Sequence, residues 1–183
     1  MGEPVQTVGQ GLGGVAQAAR TTGGLPPVHL WHPAHCGDID IVIRRDGVWM
    51  HEGSPIGRPE LVRLFSTVLR LDPDGYHLVT PAEKLKITVE DLPFRAVAVE
   101  IGDTLVFTTD VGDRVEAGAD HPVVVETDPV SGEPAPRVHV RAGLWARIAR
   151  SVFYEIVEVA RIEDGRMVIA SAGGATFELG RVT

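Results

Sequence analysis

The sequence predicts an α+β protein made of two similar half-domains, each of antiparallel strands plus one helix. Three observations carry this. Apolar residues alternate with polar ones over several short stretches, the period-two pattern of half-buried strands. Two longer stretches instead space their apolar residues at helical intervals. Each helical stretch is followed by an Asp-Gly pair and a strand–turn–strand pattern, at positions about 90 residues apart in a chain of 183.

Residues 1–24 are rich in Gly, Gln, Ala and Thr and read as a flexible arm. One or two helical turns fit Val15 to Arg20, but nothing there builds a core. Leu25-Pro26-Pro27 ends the arm. Ile39, Ile41 and Ile43 alternate with Asp38, Asp40 and Arg44 as a strand. Asp46-Gly47 then joins it to Val48–His51 as a hairpin, because glycine tolerates the positive φ of a tight turn. Gly53-Ser54-Pro55 breaks the second strand. A helix starts at Pro59, where proline suits the first turn and Glu60 is favoured by the helix dipole. Leu61, Leu64, Phe65, Val68 and Leu69 share one face. Asp72-Pro73-Asp74-Gly75 stops it. Tyr76–Thr80 and Lys84–Val89 follow as strands around a turn at Pro81-Ala82-Glu83.

From Phe94 the pattern is strand and turn: 94–101, 104–109 and 123–126, with loops at 111–121 and 128–136, then a short strand over 137–140. Leu144, Ile148, Val152, Ile156 and Val159 predict a second helix over 144–159. Asp164-Gly165 turns into strands over 167–171 and 176–179. Aligned at Asp74 and Asp164, the segments DGYHLVTPAEKLKITV and DGRMVIASAGGATFEL match in residue type, which predicts a duplication. The half-domains are expected over 25–90 and 91–183. Units this small are marginal alone, so they are expected to pack together, with a ligand cleft between them.

The chain carries a net charge of −8 and a pI of about 5.3. That charge repels phosphate backbones and argues against extended nucleic acid as a partner. Among basic residues there are 15 Arg against two Lys, Lys84 and Lys86, an inventory suited to bidentate anion pockets and also to a simple compositional bias. One cysteine, Cys36, excludes an internal disulfide and fits a cytoplasmic location. No run is long enough to span a bilayer, so no membrane partner is expected.

The ordered segments GDIDIVIRRDGVW, GSPIGRPELVRLFSTVLR, DGYHLVTPAEK and VEDLPF resemble the bacterial domain-of-unknown-function family 1285. Asp120-His121-Pro122, Val140-Arg141 and Phe153-Tyr154-Glu155 extend the resemblance, which covers about Trp31 to Arg161. It implies a duplicated α+β structure whose second half is superficially like a pleckstrin homology domain. It also implies a pocket at the junction of the halves for a nucleotide-like ligand in a signalling role. It implies no catalytic residues.

Several clusters carry candidate chemistry. His29, His32, His35 and Cys36 are zinc-ligand types, but their spacing fits no common zinc module, and solvated histidines beside a buried cysteine are the reading preferred here. Arg58 precedes the first helix and Arg63 lies on it, where an anion site or a solvated face both fit. Thr80, Glu83 and Lys84 sit at a hairpin tip, as a phosphate or carboxylate contact or as a surface turn. Trp49 and His51 are placed on one strand face near Ser54, for stacking on a base or for core packing. Arg141 is expected at the start of the second helix, mirroring Arg58, with Arg147 and Arg150 beyond it. No nucleophile elbow, zinc-protease motif, P-loop or dinucleotide fingerprint is present.

These readings converge on a non-enzymatic module that binds a small anionic, nucleotide-like molecule without metal or cofactor. The alternatives are an enzyme acting on such a ligand and a protein-interaction scaffold.

Overall fold

The computed structural model describes residues 11–20 and 24–182. They form two compact units. The first takes the described residues up to Ile43 and Val48–Val89; the second takes Arg44–Gly47 and the described residues from Glu90 onward. Both units combine sheets with helix, so the α+β class and the duplicated halves hold. No helix among the described residues is long and apolar enough to cross a membrane.

In the first unit, helix α1 (Gly11–Arg20) precedes strands β1 (His35–Ile43), β2 (Trp49–His51) and β3 (Ser54–Pro55). Helix α2 (Pro59–Thr67) follows, then β4 (Leu69–Asp72), β5 (Gly75–Val79) and β6 (Glu83–Val89). The six strands form one sheet in the order β3-β2-β1-β6-β5-β4. Ile41, Ile43, Phe65, Val68 and Leu78 are its buried centre. The arm expected to build no core does build one: Val15, Ala16 and Ala19 of α1 are buried, and α1 packs on α2. Small residues at helical spacing let the two helices approach closely, a signal obscured by the surrounding glycines. Residues 1–10, also assigned to that arm, lie outside the described residues.

The second unit contains β7 (Phe94–Ile101), β8 (Leu105–Thr109), β9 (Arg114–Glu116), β10 (Val123–Thr127), β11 (Pro134–Arg141) and β12 (Leu144–Ile148). Helix α3 (Arg150–Glu158) follows, then β13 (Arg161–Glu163), β14 (Arg166–Ala170) and β15 (Thr176–Arg181). The first six strands order as β10-β11-β12-β7-β8-β9, and the last three form a separate sheet, β13-β14-β15. Ser171 ties the two sheets: its Oγ accepts the Leu105 N–H at 2.9 Å and donates to the Ala117 carbonyl at 2.7 Å.

Several sequence expectations are corrected. The second helix starts at Arg150, not Leu144, because Leu144, Ala146 and Ile148 are buried alternately on β12. Residues four apart fit either period, and pairing with β11 and β7 decides for strand. The first helix ends at Thr67, and Leu69 opens a strand. β9 occupies part of an expected loop, and β11 begins at Pro134 inside another. The two six-stranded sheets are mixed rather than antiparallel, since β1 pairs with β6, and β12 with β7, in parallel, while β13-β14-β15 is antiparallel as expected. Side-chain alternation carries no information on strand direction.

The duplication persists as a helix followed by three strands, α2-β4-β5-β6 and α3-β13-β14-β15. Its register shifts by one residue. Asp72 pairs with Gly75 in the first unit and Glu163 with Arg166 in the second, so Asp72 matches Glu163, and Asp74 matches Gly165 rather than Asp164. The two-residue turn Asp164-Gly165 has both φ values positive, 49° and 75°. In the first unit the turn is Pro73-Asp74, where proline locks φ negative, and the positive φ moves to Gly75 at 124°. Aligning one Asp-Gly with the other therefore slips the register.

Candidate functional site

The site residues expected from sequence fall into several places. Trp49 is buried on β2 opposite Ile43, with its indole N–H unpartnered. His51 is half-buried with Nε2 3.9 Å from Glu52, and Ser54 is exposed opposite it in the ladder. Arg58 is the exposed N-cap residue of α2 and lines a cavity of about 330 Å³ with Arg20 and Glu60. Arg63 is exposed on α2.

Thr80 and Glu83 are buried, and the Thr80 hydroxyl accepts the Glu83 N–H at 3.1 Å, which shapes the hairpin tip. Lys84 donates to Asp72 at 3.0 Å. Asp72 also accepts a two-pronged pair from Arg70 at 2.7 and 2.9 Å. The Arg70 hydrogen bonds, with help from Lys84, hold the Asp72 carboxyl at about 2. Asp72, Asp74 and His77 cluster closely enough to suggest a cation, but Asp72 is already saturated by two cationic side chains, so this set does not fit a metal. Cys36, expected to be buried, is exposed, as are His29, His32 and His35.

Arg141 ends β11 instead of starting a helix. Its guanidinium donates to Asp113 at 2.6 Å and lies 4.9 Å from the Phe94 ring centre. The residue that occupies the N-cap of α3, as Arg58 does for α2, is Ala149.

The second unit contains a cationic cavity that the sequence left scattered. Arg137, Arg147 and Arg95 are direct neighbours across β11, β12 and β7. At the β12 end, Arg95, Arg147 and Arg150 line a cavity of about 270 Å³ with Phe153, Tyr154 and the single acid Glu133. Arg147 is fixed by two bonds to Asp91, at 2.9 and 2.8 Å, which hold the Asp91 carboxyl below its ordinary value. Arg95 donates to the Arg45 carbonyl at 2.9 Å. Gly47 makes room for it: a Cβ there would stand 2.8 Å from the Arg95 side chain. Arg150 bonds the Tyr154 hydroxyl at 2.7 Å and stacks on its ring.

Helix α3 begins at this cavity with no side-chain cap and no acid in its first turn. Its leading N–H groups therefore point positive partial charge toward the space that the arginines border. In α2 the equivalent turn carries its own acid, Glu60. Three arginines and one glutamate line the cavity; Arg147 is paired with Asp91, and Arg150 stands 3.7 Å from Glu133. The cavity can hold a phosphate or carboxylate with an apolar or ring-bearing neighbour on Phe153 and Tyr154. Arg147 and Arg150 were visible in sequence, but Arg95 becomes their neighbour only through the parallel β7–β12 pairing.

Residues 26–92 match the family described as "Domain of unknown function (DUF1285), N-terminal domain", and residues 93–179 match "Protein of unknown function (DUF1285), C-terminal domain". The crystal structure of a DUF1285 family protein from Silicibacter pomeroyi DSS-3 is similar, at 48% identity and a TM-score of 0.83, covering 92% of this chain and 95% of that one. A second, from Shewanella baltica OS155, has 25% identity and a TM-score of 0.52, covering 64% of this chain and 90% of its own. No curated protein matches the chain.

Proposed function

Because this chain belongs to the DUF1285 family, we propose that it is a non-enzymatic binding module for a small anionic, nucleotide-like ligand. The cavity at the start of α3 is the observation that carries this reading. Its arginines and the uncapped first turn of α3 supply charge, and Tyr154 and Phe153 supply ring surface. The lining contains one carboxylate and no histidine, so it offers no paired acid and base, which favours binding over catalysis. In this reading the second unit serves as a pleckstrin-homology-like platform in a cytoplasmic signalling role.

A thermal-shift screen of the full chain against nucleoside phosphates and small phosphorylated or carboxylated metabolites tests it. A ligand at 100 times its Kd stabilises the folded state by about 2.7 kcal/mol. A nucleotide should raise the melting temperature, and the double variant Arg95→Ala/Arg150→Ala should lose that response. A screen in which no nucleotide raises the melting temperature overturns the ligand class.

A further inference from the structure

The three arginines of the α3 cavity differ in how firmly they are held. Arg147 is locked to Asp91 by two hydrogen bonds, and both side chains are mostly buried. Arg95 donates to the Arg45 carbonyl at 2.9 Å. Arg150 gives its Nε–H to the Tyr154 hydroxyl, and its carboxylate neighbour is Glu133, with Nη1 3.7 Å from Oε2. That separation is beyond a hydrogen bond, and the two side chains are 71% and 61% exposed. Ion pairs so exposed contribute little and are easily exchanged.

Glu133 nevertheless stands in a built position, at the end of the loop between β10 and β11. Its carbonyl accepts the Asp128 N–H at 2.8 Å, and its own N–H donates to Ser131 Oγ at 3.2 Å. The Asp128 carboxylate in turn accepts the Ser131 and Val130 N–H groups at 2.8 and 2.9 Å. The loop thus fixes the main chain of Glu133 at the cavity rim, while its exposed side chain can turn out to solvent.

An anion entering the cavity reaches Arg150 by displacing this carboxylate. A ligand carboxylate would exchange like for like and gain no charge at Arg150. A terminal phosphate brings about two negative charges and three acceptor oxygens, so it wins the exchange. We propose that Glu133 is an internal competitor for Arg150 that the ligand displaces, and that this exchange makes the cavity selective for a phosphate monoester over a carboxylate. This rests on the reading of the cavity as an anion site, and it adds the competing residue and the class of anion.

Titration of the full chain with methyl phosphate and with acetate, followed by amide chemical shifts, tests it. Low salt is used, where exposed charges are least screened. Methyl phosphate should bind more tightly than acetate. Glu133→Gln should tighten methyl phosphate by about two- to fivefold, the worth of an exposed ion pair. In an Arg150→Gln background the same substitution should give no gain, since nothing is left to compete for. Both side chains are exposed, so neither substitution disturbs the core. Equal affinity of the unmodified chain for methyl phosphate and acetate overturns the selectivity. An unchanged affinity in Glu133→Gln, or a gain that persists in the Arg150→Gln background, overturns the competition and leaves the anion reading standing. No binding of methyl phosphate by either the unmodified chain or Glu133→Gln overturns both.

Discussion

The helix-and-three-strand motif occurs in both units, with different outcomes. In the first, the last strand β6 pairs with β1, and the motif is absorbed into one six-stranded sheet. In the second, β15 has no such partner, its sheet stays at three strands, and its free side borders a groove. The hairpins diverge likewise. Arg70 and Asp72 form a pair whose side chains are only 15% and 16% exposed, tied further to Lys84 and to the carbonyls of Val28 and Trp31. Their counterparts Arg161 and Glu163 form a 3.5 Å pair at 66% and 54% exposure. A repeated local pattern thus serves as a closed scaffold where its last strand and its charges find partners, and leaves an open edge where they do not.

The largest test of this contrast compares the helices. Phe65 of α2 is fully buried, and Phe65→Ala should cost about 3–5 kcal/mol of unfolding free energy. Phe153 of α3 borders both the cavity and the groove, so Phe153→Ala should cost less stability and weaken ligand response more. Urea denaturation with and without ligand measures both, and equal stability losses would break the comparison.

The hairpin charges come next. Asp72→Asn should cost about 2 kcal/mol, since it leaves two mostly buried cations without their carboxylate. Glu163→Gln should change stability by less than about 1 kcal/mol. The Asp72 pKa is lowered on folding from 3.8 to about 2, so its contribution is complete above pH 4 and disappears as pH falls toward 2. Acid denaturation of Asp72→Asn should accordingly show a weaker pH dependence between pH 4 and pH 2 than the unmodified chain.

The smallest effect concerns turns. Asp164 and Ala142 both lead two-residue turns with positive φ, at 49° and 45°. Aspartate tolerates that conformation better than alanine, so Ala142→Asn should stabilise the second unit by about 0.5–1 kcal/mol. A thermal melt with no gain would mean that the β11–β12 turn is held by its surroundings rather than by residue preference.

Parts of this protein were legible in its sequence because they depend on neighbouring residues. The apolar stripe from Leu61 to Phe65, the Asp164-Gly165 turn, and the alternation in β1 follow from local sterics and burial, so the α+β class and the repeated pattern could be read directly. The site was legible only in fragments. Arg58 stands at the N-cap position of α2 without a side-chain cap bond, and Thr80, Lys84 and Arg141 are engaged by their own hairpin, Asp72 and Asp113 respectively. Leu144 and Ile148 fit helix and strand equally well until β7 pairs with β12. That pairing joins residues about 50 positions apart in parallel and brings Arg95 beside Arg147. Sequence by itself determined the class, the start of α2 at Pro59 and the Asp164-Gly165 turn, since each is set within a few residues. Tertiary structure alone decided strand direction, the one-residue register of the repeat, the cationic cavity and the open edge of β15, because hydrogen bonding between distant strands is not encoded in the spacing along any one of them.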